Sequence, residues 1–101
     1  MTFMREGFLV VFLSQRFPAD HGYAKMAAQM EAEVATIPGF LRMESVREEN
    51  GKGITLSYWR DLAGIRAWRE HQAHKLAKAK AKEWYASYEI QIYQVQLWNP
   101  A

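Results

Sequence analysis

Phe8–Leu13 is an unbroken apolar run of strand length, rich in β-branched and aromatic residues, with polar positions returning on either side. A run with no polar face predicts a central strand covered on both sides. Pro18 ends it, and Asp20 is placed to cap a following helix. Tyr23, Met26, Ala27, Met30, Val34 and Ile37 then recur at helical spacing, opposite Lys25, Gln29, Glu31 and Glu33. That pattern is an amphipathic helix of about four turns, stopped by Pro38-Gly39. Phe40–Glu48 reads as a second strand, with Phe40, Leu41, Met43 and Val46 set against Arg42, Glu44 and Arg47. Asn50-Gly51-Lys52-Gly53 is a hairpin signal, and Ile54–Trp59 is the third strand. Asp61 caps a short helix that turns Leu62, Ile65 and Trp68 inward. Helical spacing resumes after His71 with Ala73, Leu76, Ala77 and Trp84. The last strand, Tyr88–Trp98, carries Ile90 and Ile92 on one phase and Tyr93, Val95 and Leu97 on the other, which predicts a bulge near Ile92 and Tyr93.

The order is βαββαβ, with the second α in two pieces. Right-handed crossovers turn that order into an α+β, ferredoxin-like protomer: a four-stranded antiparallel sheet with helices on one face. No linker or repeat divides the chain, so residues 1–101 are expected to form a single domain. Helices cover one face only, yet the first and last strands are apolar on both. Leaving about six such side chains in water would forgo on the order of 10 kcal/mol, as much as a small domain's whole stability of ~5–15 kcal/mol. A second copy packed sheet to sheet is the expected cover, giving a homodimer.

Composition narrows the partners. Half of the 101 residues are hydrophobic and the formal net charge is only +2, so no nucleic-acid partner is expected. The one basic run, Lys75, Lys78, Lys80 and Lys82, reads as a solvated helix face. There is no cysteine, hence no disulfide framework or thiolate chemistry. No segment resembles a signal peptide or reaches bilayer length. The expectation is a cytoplasmic protein without a membrane partner.

Chemistry concentrates in Ser57–Tyr88, which holds Trp59, Trp68 and Trp84, the pair His71 and His74, and Tyr58, Tyr85 and Tyr88. Pro38-Gly39-Phe40-Leu41, Ser57-Tyr58-Trp59, Trp68 followed by His74, and Trp84-Tyr85 with Tyr88 together resemble the antibiotic biosynthesis monooxygenase family of the dimeric α/β-barrel superfamily. The resemblance runs from Phe8 to Leu97. It implies a dimeric α/β barrel, a pocket between each sheet and its helices, and oxidation of an electron-rich aromatic, polyketide-like or quinol substrate by O2 without metal, flavin or haem. Haem-degrading relatives carry an Asn on the first strand and an axial His about ten residues after the helix Trp. Gly7 and Lys78 stand at those positions, which argues against haem degradation. The polyketide-oxidising branch has an Asn one turn before that Trp, where this chain has Gly64.

Triplet oxygen reacts slowly with closed-shell molecules unless these are first deprotonated, so such an enzyme needs a base, a group to steady the anion and a dry, ring-lined pocket. The expected catalytic set is His74 as base or orienting donor, Trp68 as pocket wall or electron-transfer partner, and Tyr85 as polar group. His71, Tyr58, Trp59, Trp84 and Tyr88 are the expected substrate-binding residues. Tyr58 and Trp59 must face opposite sides of their strand; which one meets the helices is open at this stage. His71 and His74 are three apart and could share a metal, but Glu70 and Asp61 are poor third ligands, so no metal site is expected. Two other functions compete: a non-catalytic, hydrophobic-ligand-binding or stress-related dimer, and, further off, haem binding.

Overall fold

The computed structural model describes residues 3–99 and has the expected order: β1 (Phe3–Arg16), α1 (Tyr23–Val34), β2 (Phe40–Arg47), β3 (Lys52–Trp59), α2 (Leu62–Glu70), α3 (Gln72–Trp84) and β4 (Tyr85–Asn99). The strands form one antiparallel sheet in the order β2-β3-β1-β4, the ferredoxin-like arrangement. Among the described residues no helix is long and apolar enough to cross a membrane.

Register assigns every strand residue to a face. Phe8 lies opposite Trp59, and Trp59 is buried with Val34 of α1 and Ile65 of α2, so the helix-side row of β1 is Phe8, Val10, Phe12 and Ser14. Its neighbours on β3 are Trp59, Ser57, Thr55 and Gly53, and on β4 they are Gln94, Ile92, Ile90 and Tyr88. The opposite face carries Leu9, Val11, Leu13, Ile54, Leu56, Tyr58, Tyr93, Val95 and Leu97. Leu9, Val11 and Leu13 are only half-buried, so β1 is central in the sheet but covered by helices on one side alone.

Three expectations change. β4 pairs with β1 without interruption from Ser87 to Asn99, and the shift lies at Gln15/Arg16 rather than at Ile92 and Tyr93. The two apolar phases of β4 are its two faces, both greasy, and need no bulge. A register shift does occur between Phe40 and Arg42. It inserts Leu41 as an extra residue and brings Phe40 and Met43 onto one face. Period-two alternation then carries Arg47 to the helix side with Met43 and Ser45, away from Arg42 and Glu44. Finally, Gly22 rather than Asp20 is the N-cap of α1. The Asp20 carboxylate still accepts from the Gly22 and Ala24 N–H groups at 2.8 and 3.2 Å, so it satisfies the helix start from two residues upstream.

The helix layer is seated by a close approach. Asp61 caps α2, accepting from the Gly64 N–H at 2.8 Å, and this puts Gly64 against the sheet. A Cβ at Gly64 would lie 2.7 Å from the Pro38 carbonyl and 3.0 Å from the Trp59 ring. Alanine is the better helix former by roughly 1 kcal/mol, yet Gly64→Ala should destabilise by about 1–3 kcal/mol through overpacking. Asp61→Ala should cost about 1 kcal/mol. Urea midpoints measure both; a Gly64→Ala protein more stable than the parent would contradict the close approach.

Candidate functional site

α2 ends and α3 begins at His71, whose extended backbone (φ −65°, ψ 139°) closes one helix and caps the next. Its Nδ1 accepts from the Ala73 N–H at 3.2 Å and its Nε2 stands 3.6 Å from Oε2 of Glu33. The Nδ1 bond caps α3, while the Nε2 contact is too long for a hydrogen bond and sets the junction beside α1. The break folds α3 back so that both imidazoles lie on the Trp68 indole: His74 stacks at 4.9 Å between centroids and 20° between planes, His71 at 5.4 Å and 32°. Trp68 itself rests on the core of Val34, Trp59 and Ile65. Among the described residues no three His, Cys, Asp or Glu side chains are grouped as a metal would require.

His74 is the unspent group of this trio. Its Nδ1 is enclosed and hydrogen-bonded to nothing. Burial, and then the Lys78 ammonium one turn on, hold its pKa below the usual imidazole value of 6.5; the nearby Arg69 and Trp68 backbone acts in the opposite sense without closing a bond of good geometry. A neutral imidazole at working pH is a proton acceptor.

Tyr85 belongs to a second cluster. It packs on Phe12 (5.3 Å), Tyr23 (5.7 Å) and Tyr88 (6.0 Å), and Tyr88 stacks on Phe12 at 5.7 Å and 21°. Burial, and then the neighbouring Tyr23 hydroxyl, raise the Tyr85 phenol above its ordinary pKa, so it stays protonated. His74 and Tyr85 are eleven residues apart at opposite ends of α3, about 16 Å of helix rise. The structure therefore brings Trp68, His71 and His74 together and sets Tyr85 and Tyr88 in another group.

What joins the two groups is the helix-side row of β1. Phe8 and Val10 touch the core on which Trp68 sits, and Phe12, about 13 Å from Phe8 along the strand, touches Tyr85 and Tyr88. The β4 flank of this row is bare: Ile90 is 53% exposed and Ile92 48%. The result is an apolar strip with an imidazole–indole stack at one end and a phenol cluster at the other. A surface depression of about 460 Å³ opens at the phenol end of this row, lined by Ser14, Gly53 and Tyr88 with Lys52, Ser87 and Glu89; another, of about 310 Å³, runs between α1 and α3 past His21, Lys25, Lys80 and Trp84.

The other expected residues are placed as follows. Trp59 and Trp84, 1% and 3% exposed, are core, with their Nε1–H groups donating to Ser57 Oγ (2.9 Å) and the His21 carbonyl (3.1 Å). Trp84 nonetheless lines the depression between α1 and α3. Tyr58 faces the opposite side of the sheet, under the Arg42 guanidinium at 4.2 Å. Sequence reasoning missed Ser14, Arg16, Tyr23 and Arg47, which gather beside Tyr85. Alternation through the Leu41 bulge would have brought Arg47 to this face, but Leu41 itself carries no sign of the bulge.

Comparison with known proteins bears on the family and the fold. The sequence profile of the family "Antibiotic biosynthesis monooxygenase" matches residues 6–80. The uncharacterized protein YqjZ of Bacillus subtilis (strain 168) is 43% identical over 89 residues, 87% of this chain and 78% of that protein. A crystal structure of a Shewanella oneidensis protein superposes with a TM-score of 0.79 at 11% identity, covering 96% of this chain and 99% of that one. SnoaB, a cofactor-independent oxygenase from Streptomyces nogalater, superposes at 0.72 with 17% identity over 89% and 92%. At these identities the two structures speak for the fold alone.

The depressed His74 pKa has a consequence for stability. Above 6.5 the imidazole is neutral in both states. As pH falls below 6.5 the unfolded chain takes up the proton before the folded one, so stability contributed by neutral His74 is lost through the window beneath 6.5. An NMR titration should give His74 a midpoint under 6.5, and His74→Gln should flatten this part of the stability–pH curve. A midpoint at or above 6.5 would remove the neutral base.

Proposed function

Because this chain belongs to the antibiotic biosynthesis monooxygenase family, we propose that it is a small monooxygenase that oxidises an electron-rich aromatic, polyketide-like or quinol molecule with O2. The observation that carries this reading is the half-buried His74, its Nδ1 enclosed and unpaired, stacked on a Trp68 that packs on the same core as Phe8 and Val10. On this reading the substrate ring lies along Val10, Phe12, Ile90 and Ile92 and its acidic C–H or O–H faces His74. Proton transfer to the imidazole leaves an electron-rich anion that O2 can oxidise. For an anthrone-type CH2 the balance closes unaided: CH2 and O2 become C=O and H2O, with no outside reductant. Trp68 keeps water from one face of the reacting groups, which strengthens the electrostatics there.

Gly64 bears on the substrate. A longer side chain at that position would run into Pro38 and Trp59, so the Asn found in the polyketide-oxidising branch has no room here. Substrate orientation must come from other groups.

A second reading, a hydrophobic-ligand-binding dimer without catalysis, draws on the missing hydrogen bond at His74 Nδ1, since a catalytic base is normally oriented by a third group. Oxygen uptake across a panel of hydroxynaphthalenes and anthrones separates the two. His74→Gln should lower kcat roughly 100-fold or more, and Trp68→Phe should lower it with the fold intact. No uptake on any member of the panel favours the binder.

The proposed assembly is a homodimer through the open sheet face, where Leu9, Val11, Leu56, Tyr93 and Val95 lie together by register. Sedimentation equilibrium should give twice the 11.8 kDa chain mass, and Leu56→Glu should shift it to one chain. A well-folded 11.8 kDa species of the parent at micromolar concentration would overturn this assembly.

A further inference from the structure

At the phenol end of the strip two guanidinium groups converge on one ring. Arg16 Cζ sits 3.7 Å from the Tyr23 centroid and Arg47 Cζ 5.8 Å from it. Among the described residues the arginine–carboxylate ion pair is Arg42–Glu44, so neither Arg16 nor Arg47 has a carboxylate partner. The acids nearest in sequence are otherwise placed: Asp20 is committed to the N–H groups of Gly22 and Ala24, and Glu48 and Glu49 are exposed in the β2–β3 turn. Two like charges around one ring repel each other without a counter-ion.

Both side chains are held in place. Arg47 donates to the Gly51 carbonyl at 2.6 Å, to Ser14 Oγ at 2.9 Å and to the Tyr23 hydroxyl at 3.4 Å. Ser14 is buried, 7% exposed. Gly53 leaves the floor bare beneath Arg47: a Cβ there would stand 2.5 Å from its Cζ and Nη1. Arg16 donates to the carbonyls of Ala19, Asp20 and Trp84 at 3.0, 3.3 and 3.4 Å. These bonds use only part of each fork, so N–H groups of both remain for a ligand. Tyr85 and the half-exposed Tyr88, stacked on Phe12, add ring surface next to them.

We propose that Arg47 and Arg16, with Tyr23, Tyr85 and Tyr88, bind the carboxylate of an aromatic acid, so that the oxidised molecule is an anionic aromatic rather than a neutral one. The proposal rests on the reading of the strip as the substrate site and names its substrate class. Each guanidinium keeps a free N–H at Nη1, and Arg47 also keeps its Nε–H, so each can make a single charge-assisted hydrogen bond to a carboxylate oxygen, and the neighbouring rings suit the aromatic body. The protonated Tyr85 phenol adds a donor without adding repulsion. The acid head at Arg47 would lay the aromatic body along Phe12 and Ile90, and a molecule that also reaches His74, about 16 Å away along α3, must be three or four fused rings long, so the naphthalene probes report binding at the acid end alone.

Binding is measured calorimetrically under argon, so that it is independent of oxidation. The probes are 1-hydroxy-2-naphthoate, 1-naphthol and inorganic phosphate. The parent protein should bind the naphthoate at least tenfold more tightly than the naphthol, and added salt should weaken only the former. Arg47→Gln should abolish that preference while leaving naphthol affinity within twofold. Gly53→Ala, which displaces the guanidinium without changing its charge, should reduce the preference in a chain whose circular dichroism matches the parent. Equal affinity for both naphthalenes, or a preference that survives Arg47→Gln and Gly53→Ala, would overturn the proposal. Displacement of the naphthoate by equimolar phosphate would overturn it too, by showing a site for any anion. Failure of oxygen uptake with these binding results intact would instead strike the monooxygenase reading alone.

Discussion

The burial of Trp59 against Gly64 organises this molecule. Trp59 is the largest fully enclosed side chain, flanked in the sheet by Phe8 and Phe40, and burying a ring of this size stabilises by roughly 3 kcal/mol or more. α2 reaches it only because residue 64 has no side chain. With α2 seated over β3, the helix layer centres on β1, β2 and β3, and the helix-side row of β4 stays uncovered. The exposed Ile90 and Ile92 are thus a consequence of where the helices are anchored.

That offset divides the chemistry along one strip. At one end the α2–α3 junction stacks two imidazoles on Trp68, and the roles separate: His71 caps α3 through its Nδ1, while His74 keeps its Nδ1 enclosed and unpaired. At the other end the strand termini gather phenols and guanidinium groups. Burial lowers the imidazole pKa and raises the phenol pKa for the same reason, since each charged form is disfavoured away from water. The strip therefore offers a proton acceptor and a proton donor at its two ends, both neutral at neutral pH. The positive charge near the phenols comes from Arg16 and Arg47, which remain ionised under any of these conditions.

The opposite sheet face has a different character. It is apolar across three strands, has no helix over it, and in an isolated chain would leave Leu9, Val11 and Leu56 partly wet. A ferredoxin-like sheet with only one helix layer is left with this choice: a polar outer face or a second copy. This chain has placed Tyr58 under Arg42 and hydrophobic residues beside it on this face.

Element order, the antiparallel sheet, the Asp61 cap and the hairpin at Asn50–Gly53 were legible in the sequence, because periodicity, caps and turn residues act over a few positions and leave local marks. So was the resemblance carried by Trp68, His74, Trp84 and Tyr85. Tertiary structure decided what depends on residues far apart in the chain: that Trp59 rather than Tyr58 meets the helices, that Trp84 is core, and that His74 and Tyr85 lie at opposite ends of α3. It also decided that Arg47 joins Arg16 and Tyr23, 31 and 24 positions away. A one-residue bulge at Leu41 and the register of β4 control those placements. Register is set by the packing of whole faces, so neither residue composition nor spacing within one segment records it.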